Sequence, residues 1–253
     1  MEEAAVRVEN LVKVYPRGVR ALNGLSFTVN EGEIYGLVGP NGAGKTTTLR
    51  ILATLLRPTG GRASVYGHDV VKESMAVRRL LSYLPEEASA PREMKGVEFV
   101  EFIAKLRYRD PRDVARVLEE AARIADLGRD MERKVKTYSK GMKRRLLLAT
   151  VLAVRPRLAI LDEPTSGLDV EQSLRIRQII KKYSRSLGVT VLLSSHNMLE
   201  VERLCDRIGI IIGGRIVEEG APSELKEKYG AETLEDVFLA VTRGRGRGAP
   251  RPQ

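Results

Sequence analysis

The sequence predicts an α/β fold: a mostly parallel sheet with flanking helices, antiparallel strands near the N-terminus and an inserted helical lobe. Three observations predict it. Short apolar strands alternate with helical stretches in the first and last thirds of the chain. A glycine-rich turn joins one such strand to a helix. The middle of the chain carries apolar residues at helical spacing only.

The elements follow in order. Residues 6–10 and 25–29 alternate apolar with polar and read as strands. Residues 34–38 (Ile-Tyr-Gly-Leu-Val) form a short apolar strand that runs into the glycine-rich turn. The spacing predicts a helix over 44–55, stopped by Pro58-Thr59-Gly60-Gly61, then strands over 62–66 and about 80–84. From about 88 to 153 the pattern becomes helical, with Val97, Val100, Ile103 and Ala104 in one segment and Val114, Leu118, Ala121 and Ala125 in the next. Strand and helix alternate again at 158–161, 170–186, 189–193 and 198–204, and a hairpin turns at Gly213-Gly214. Two short helices, 222–228 and 234–241, precede a Gly/Arg/Pro-rich tail that its composition predicts to be disordered. The expected organisation is a core over 1–87 and 154–220, a helical subdomain over 88–153, C-terminal helices over 221–241 and a disordered tail over 242–253.

Composition bounds the function. The chain has 253 residues and a single cysteine, Cys205, which excludes a scaffold built on internal disulfides. The longest apolar-rich runs, 146–154 and 208–212, fall far short of the ~20 residues of a spanning helix, and the acidic start does not read as a signal peptide. A cytoplasmic protein is the expectation. The 43 Lys and Arg against 33 Asp and Glu give a net charge of +10, which suggests an anionic partner. Four of the arginines (Arg243, Arg245, Arg247 and Arg251) lie in the tail, and most body charges alternate in sign along helical faces. There is no tryptophan and no interleaved basic-aromatic surface, so no specific nucleic acid is expected.

Two motifs carry chemistry. Gly39-Pro40-Asn41-Gly42-Ala43-Gly44-Lys45-Thr46 matches G-x-x-x-x-G-K-[ST] between a strand and a helix, the arrangement of a P-loop NTPase. The glycines let backbone N–H groups converge on an anion, and the helix start adds its positive dipole. Lys45 is placed to reach the β- and γ-phosphates, the Thr46 hydroxyl to bind Mg²⁺, and Thr47 completes the loop. Downstream, Leu158-Ala159-Ile160-Leu161 leads into Asp162 and Glu163. Asp162 is placed to hold the Mg²⁺ shell and Glu163 to polarise the attacking water as general base. The cofactors expected are ATP and Mg²⁺.

Between these motifs lies Tyr138-Ser139-Lys140-Gly141-Met142. Here the sequence resembles the ATP-binding-cassette (ABC) family, whose signature reads Leu-Ser-Gly-Gly-Gln, and the resemblance runs from about residue 6 to 220. It implies that Ser139 and Gly141 contact the γ-phosphate of ATP held by the opposite subunit. Lys140 stands where the family has glycine, and either adds positive charge near that phosphate or points to solvent. Met142 replaces the glutamine. The resemblance further implies that Asp169, in Ser166-Gly167-Leu168-Asp169, belongs to the loop that crosses the dimer, and that His196 senses the γ-phosphate. Tyr15 matches the aromatic that stacks on adenine, although a strand tyrosine also serves as packing. Glu86 stands where the family has the glutamine that links Mg²⁺ and water to the helical lobe.

The family geometry implies a head-to-tail dimer with two sandwiched ATPs, so a second ATP-binding subunit, expected to be another copy, is a partner. Multi-span membrane permease subunits encoded separately are the other expected partners. They would place the chain at the inner face of the cell membrane. The segments around 83–87, 138–142 and 234–239 resemble the drug-, antibiotic- or lipid-exporting branch. The alternative is a soluble ABC ATPase serving translation, DNA repair or cluster assembly. Against it, the chain has no long coiled coil between its motifs and only one cassette.

Overall fold

The computed structural model describes residues 4–246. They divide into two compact units, residues 4–77 with 192–246, and residues 78–191. The second unit unites the three helices of the expected helical subdomain with two strands and a further helix, so the compact division does not follow the boundaries at 88 and 153.

The first unit opens with strand β1 (Ala4–Val14), which pairs antiparallel with β2 (Arg20–Asn30), Val8 facing Phe27. On its other edge β1 pairs antiparallel with β4 (Gly60–Val65), which pairs with β5 (His68–Asp69), giving the order β2-β1-β4-β5. Strand β3 (Ile34–Val38) is buried throughout, as a strand covered on both faces must be. It runs parallel to β9 (Arg207–Ile212), with Leu37 beside Gly209, and β9 turns at Gly213-Gly214 into antiparallel β10 (Arg215–Gly220). Helix α1 (Lys45–Leu52) follows β3 and buries Leu49, Ile51 and Leu52. Arg207 closes the β9–β10 layer by pairing with Glu33 at 3.0 Å and Glu219 at 2.7 Å, while the Tyr35 hydroxyl donates to Glu219 at 3.0 Å.

In the second unit, α2 (Ser74–Leu80), whose first residues belong to the first unit, leads into β6 (Leu81–Leu84). β6 runs parallel to β7 (Leu158–Asp162), Tyr83 opposite Ile160. Three helices lie between these strands in sequence: α3 (Gly96–Arg107), α4 (Pro111–Ala125) and α5 (Lys140–Leu152). α4 starts at a capping Asp110 with Pro111 at its first position, two signals that favour a helix start. Its last carbonyls, which no helical N–H can reach, accept from Arg145 of α5 at 3.0 Å (Ala125) and 2.7 Å (Asp126). α6 (Val170–Leu187) is capped by Asp169 and ends at Gly188 in the left-handed conformation.

Strand β8 (Thr190–Ser195), entirely buried, carries the chain back to the first unit. There α7 (Met198–Leu204), α8 (Pro222–Tyr229) and α9 (Leu234–Gly246) complete it. The expected tail start at Thr242 is corrected: α9 continues to Gly246, and the Thr242 hydroxyl donates to the Phe238 carbonyl one turn back at 2.7 Å. Residues 247–253 of that tail lie outside the described residues. No helix among the described residues is long and apolar enough to cross a membrane.

Candidate functional site

The residues singled out in the sequence fall into two groups, one in each unit. In the first unit, β3 ends at Val38 and the chain wraps through Gly39–Gly44 into α1. Two positions show why the loop needs glycine. Gly42 has φ +79°, and Gly44, the N-cap of α1, has φ +109°. A Cβ on Gly44 would stand 2.7 Å from both the Ala21 carbonyl oxygen and Leu22 Cδ2 of β2. No side chain caps α1, so its first N–H groups face the loop. Lys45 is 5% exposed and folds its ammonium back over the loop, donating to the carbonyls of Gly39 at 2.7 Å and Pro40 at 3.3 Å. Left-handed glycines, a helix start and an inward lysine together form a cradle for a phosphate chain.

Tyr15, at the end of β1, is tied to this loop: its hydroxyl lies 3.2 Å from Thr47 Oγ1. The Lys13 ammonium stands 5.4 Å from the centre of the Tyr15 ring. His196 follows β8 and is exposed. It shares a cavity of about 490 Å³ with Gly39, Pro40 and Asn197. Glu235 and Phe238 of α9 line the same cavity, so the C-terminal segment reaches the phosphate loop.

In the second unit, β7 delivers Asp162 and Glu163 at its C-terminal end, 1% and 6% exposed. The Tyr83 hydroxyl donates to Asp162 Oδ2 at 3.3 Å. Glu163 has φ +46°, a left-handed backbone that is uncommon for any residue but glycine, asparagine or aspartate. Glu86 accepts from the Ser166 hydroxyl at 3.0 Å, which joins the segment after β6 to the segment after β7. Ser139 caps α5, its hydroxyl oxygen accepting from Met142 N–H at 3.2 Å. A Cβ on Gly141 would meet the Gln172 side chain of α6, whose flexible amide end can shift to admit it. Lys140 is exposed, and its ammonium lies over Gly167. The Asp169 carboxylate accepts from Gln172 N–H at 2.8 Å as the cap of α6.

One residue escaped the sequence reading. Arg144, 8% exposed on α5, donates five hydrogen bonds to backbone carbonyls around Asp162, Glu163 and Glu86. No local signal marked it: Lys143-Arg144-Arg145 reads as a basic run ahead of the apolar stretch 146–152.

A phosphate cradle at the start of a helix and a strand ending in paired carboxylates, on an α/β core, define a nucleoside-triphosphate-binding protein. Residues 22–166 match the family described as ABC transporter. The daunorubicin/doxorubicin resistance ATP-binding protein DrrA of Streptomyces peucetius is 43% identical over 91% of this chain and 69% of its own length. The linearmycin resistance ATP-binding protein LnrL of Bacillus subtilis is 33% identical over 90% of this chain and 73% of its own length. Among solved structures, an ATP-binding subunit of an ABC transporter superposes with a TM-score of 0.82 at 26% identity, covering 94% of this chain and 99% of that one. The dimeric ATP-binding cassette MJ0796 in a post-hydrolysis state bound to ADP and Pi gives 0.76 at 26% identity, over 85% and 98%. The chain belongs to the ABC transporter family. Within it, the chain is an ATP-binding, ATP-hydrolysing subunit.

Proposed function

We propose that this subunit powers an exporter of drug- or antibiotic-like compounds, working at the cytoplasmic face of the membrane with separately encoded membrane-spanning permease subunits. The resistance roles in the names of DrrA and LnrL support the cargo class, and the absence of a spanning helix among the described residues fits separate permeases. Two copies close head-to-tail around two ATP molecules, a reading supported by the dimeric cassette among its structural relatives.

In each copy the Gly39–Gly44 loop and Lys45 hold the phosphates, Tyr15 meets the adenine and His196 faces the γ-phosphate. Ser139 and Gly141 present the start of α5 to the nucleotide of the partner copy. Lys140 adds a positive charge beside them, and Asp169 orders the crossing loop by capping α6. The donor set suits Mg²⁺: the Thr46 hydroxyl and the Asp162 carboxylate are hard oxygen ligands, and no three-residue cluster that could hold a metal by itself occurs among the described residues. One or two such donors plus substrate phosphates is how this ion is usually held. When bound, it neutralises phosphate charge. Glu86 stands near that shell, and Glu163 takes the proton of the attacking water.

The observation that carries this reading is Glu163, 6% exposed and fixed in a left-handed conformation directly after Asp162. Buried and next to the proposed metal ligand, it is held as a base rather than as a surface charge. Glu163→Gln is expected to bind ATP, to hydrolyse it only at a residual rate and to elute as a stable dimer in Mg-ATP. A variant that stays monomeric at saturating Mg-ATP overturns the reading.

A further inference from the structure

We propose that Arg144 is a positioning residue for hydrolysis: it fixes the backbone of Glu163 and links it to the start of α5. The inference rests on the reading of Glu163 as the base. A guanidinium carries five N–H bonds in a planar fork. At Arg144, Nε–H donates to the Pro164 carbonyl at 2.6 Å. Nη2 donates to Asp162 at 3.1 Å and Glu163 at 2.7 Å, and Nη1 to Pro85 at 3.3 Å and Glu86 at 3.2 Å. One buried side chain thus holds both segments that carry the carboxylates of the site, through their main chain rather than their side chains.

The backbone of Glu163 needs such a clamp. A left-handed conformation at a non-glycine residue persists only where its surroundings over-determine it. The shortest bond of Arg144 to the Asp162-Glu163 pair is the one to the Glu163 carbonyl itself. A donor placed there fixes the peptide plane, and with it the direction of the carboxylate that meets the water.

Arg144 also lies on the helix that Ser139 caps. They stand five positions apart, about 7.5 Å of helical rise. A phosphate bound at Ser139 would bear on the start of a rigid helix whose next turn grips Glu163. Arrival of the partner's nucleotide and alignment of the base are therefore mechanically joined within one chain.

The test is a double-mutant cycle on the full-length protein, reading single-turnover release of labelled phosphate from ATP. Arg144→Lys keeps the charge but loses the fork, and should lower turnover about a hundredfold while nucleotide affinity stays within about twofold, as expected for misplaced catalytic geometry. Because Arg144 acts through Glu163, adding Arg144→Lys to Glu163→Gln should leave the residual rate of that variant unchanged. Losses that multiply overturn the proposal but leave Glu163 as the base. Parental turnover in Glu163→Gln alone overturns the base reading and the proposal with it. An Arg144→Lys protein that loses nucleotide binding and turnover together marks Arg144 as a folding residue, which also overturns the assignment.

Discussion

Replacing Gly44 by alanine tests whether the phosphate loop is built as described, and Gly42→Ala supplies the control. Both glycines have positive φ, so alanine at either position takes on a left-handed backbone costing about 1–2 kcal/mol. At Gly42 that is the whole cost, because nothing lies within 4 Å of the added Cβ. At Gly44 the methyl also meets the Ala21 carbonyl oxygen and Leu22 Cδ2, each at 2.7 Å. Overpacking of this kind adds roughly 1–3 kcal/mol. The φ of +109° also lies farther from the left-handed well than the +79° of Gly42, which acts in the same direction. Each kcal/mol moves the melting point of a chain this size by about 2–4 °C, so Gly44→Ala should melt some 2–12 °C below Gly42→Ala. Thermal unfolding of both variants without nucleotide, followed by circular dichroism, gives the comparison directly. Equal melting points, or a lower one for Gly42→Ala, would refute the claim that β2 packs against the N-cap of α1.

Glu86→Gln should keep nucleotide affinity and alter the hydrolysis rate, since an amide can still accept from the Ser166 hydroxyl but removes the charge proposed to stand near the metal shell; equal steady-state kinetics in the two proteins would remove Glu86 from the mechanism. Cys205 should resist alkylation by iodoacetamide at pH 8 and react at once in denaturant, because burial pushes its thiol well above the ordinary value and leaves little of the reactive thiolate. Rapid labelling of the native protein, read by mass spectrometry, would contradict that burial.

What the sequence made legible follows from how local each signal is. The strand-turn-helix at 34–52 is one continuous stretch, so periodicity and glycine spacing both reported it. α4 was readable because three of the four residues that marked it, Val114, Ala121 and Ala125, bury along one stripe with Val117 and Ile124, while the fourth, Leu118, is half-buried. α2 was missed because only Val77 is buried there, leaving no stripe to detect. The two residues of β5 are a strand only through their pairing with β4, a contact without local periodicity. The helical extension past Thr242 depends on backbone hydrogen bonding that a Gly-Arg composition conceals. Arg144 shows the limit best. In sequence, Lys143-Arg144-Arg145 looks like a solvated basic run, yet the carbonyls that justify burying Arg144 lie 18 to 59 residues away. Nothing local could reveal them.

The backbone of Glu163 has a consequence for how this protein can change. At φ +46° a glycine would be more comfortable than glutamate by about 1–2 kcal/mol. A laboratory search that rewards heat resistance alone would therefore be drawn to the position proposed to carry the base, and would gain stability there by discarding the carboxylate. Proteins commonly sit just above a stability threshold, with the deficit concentrated where activity requires an unfavourable geometry. In this chain one part of that deficit has an address, and thermostabilised versions intended to keep pumping should be sought everywhere except residue 163.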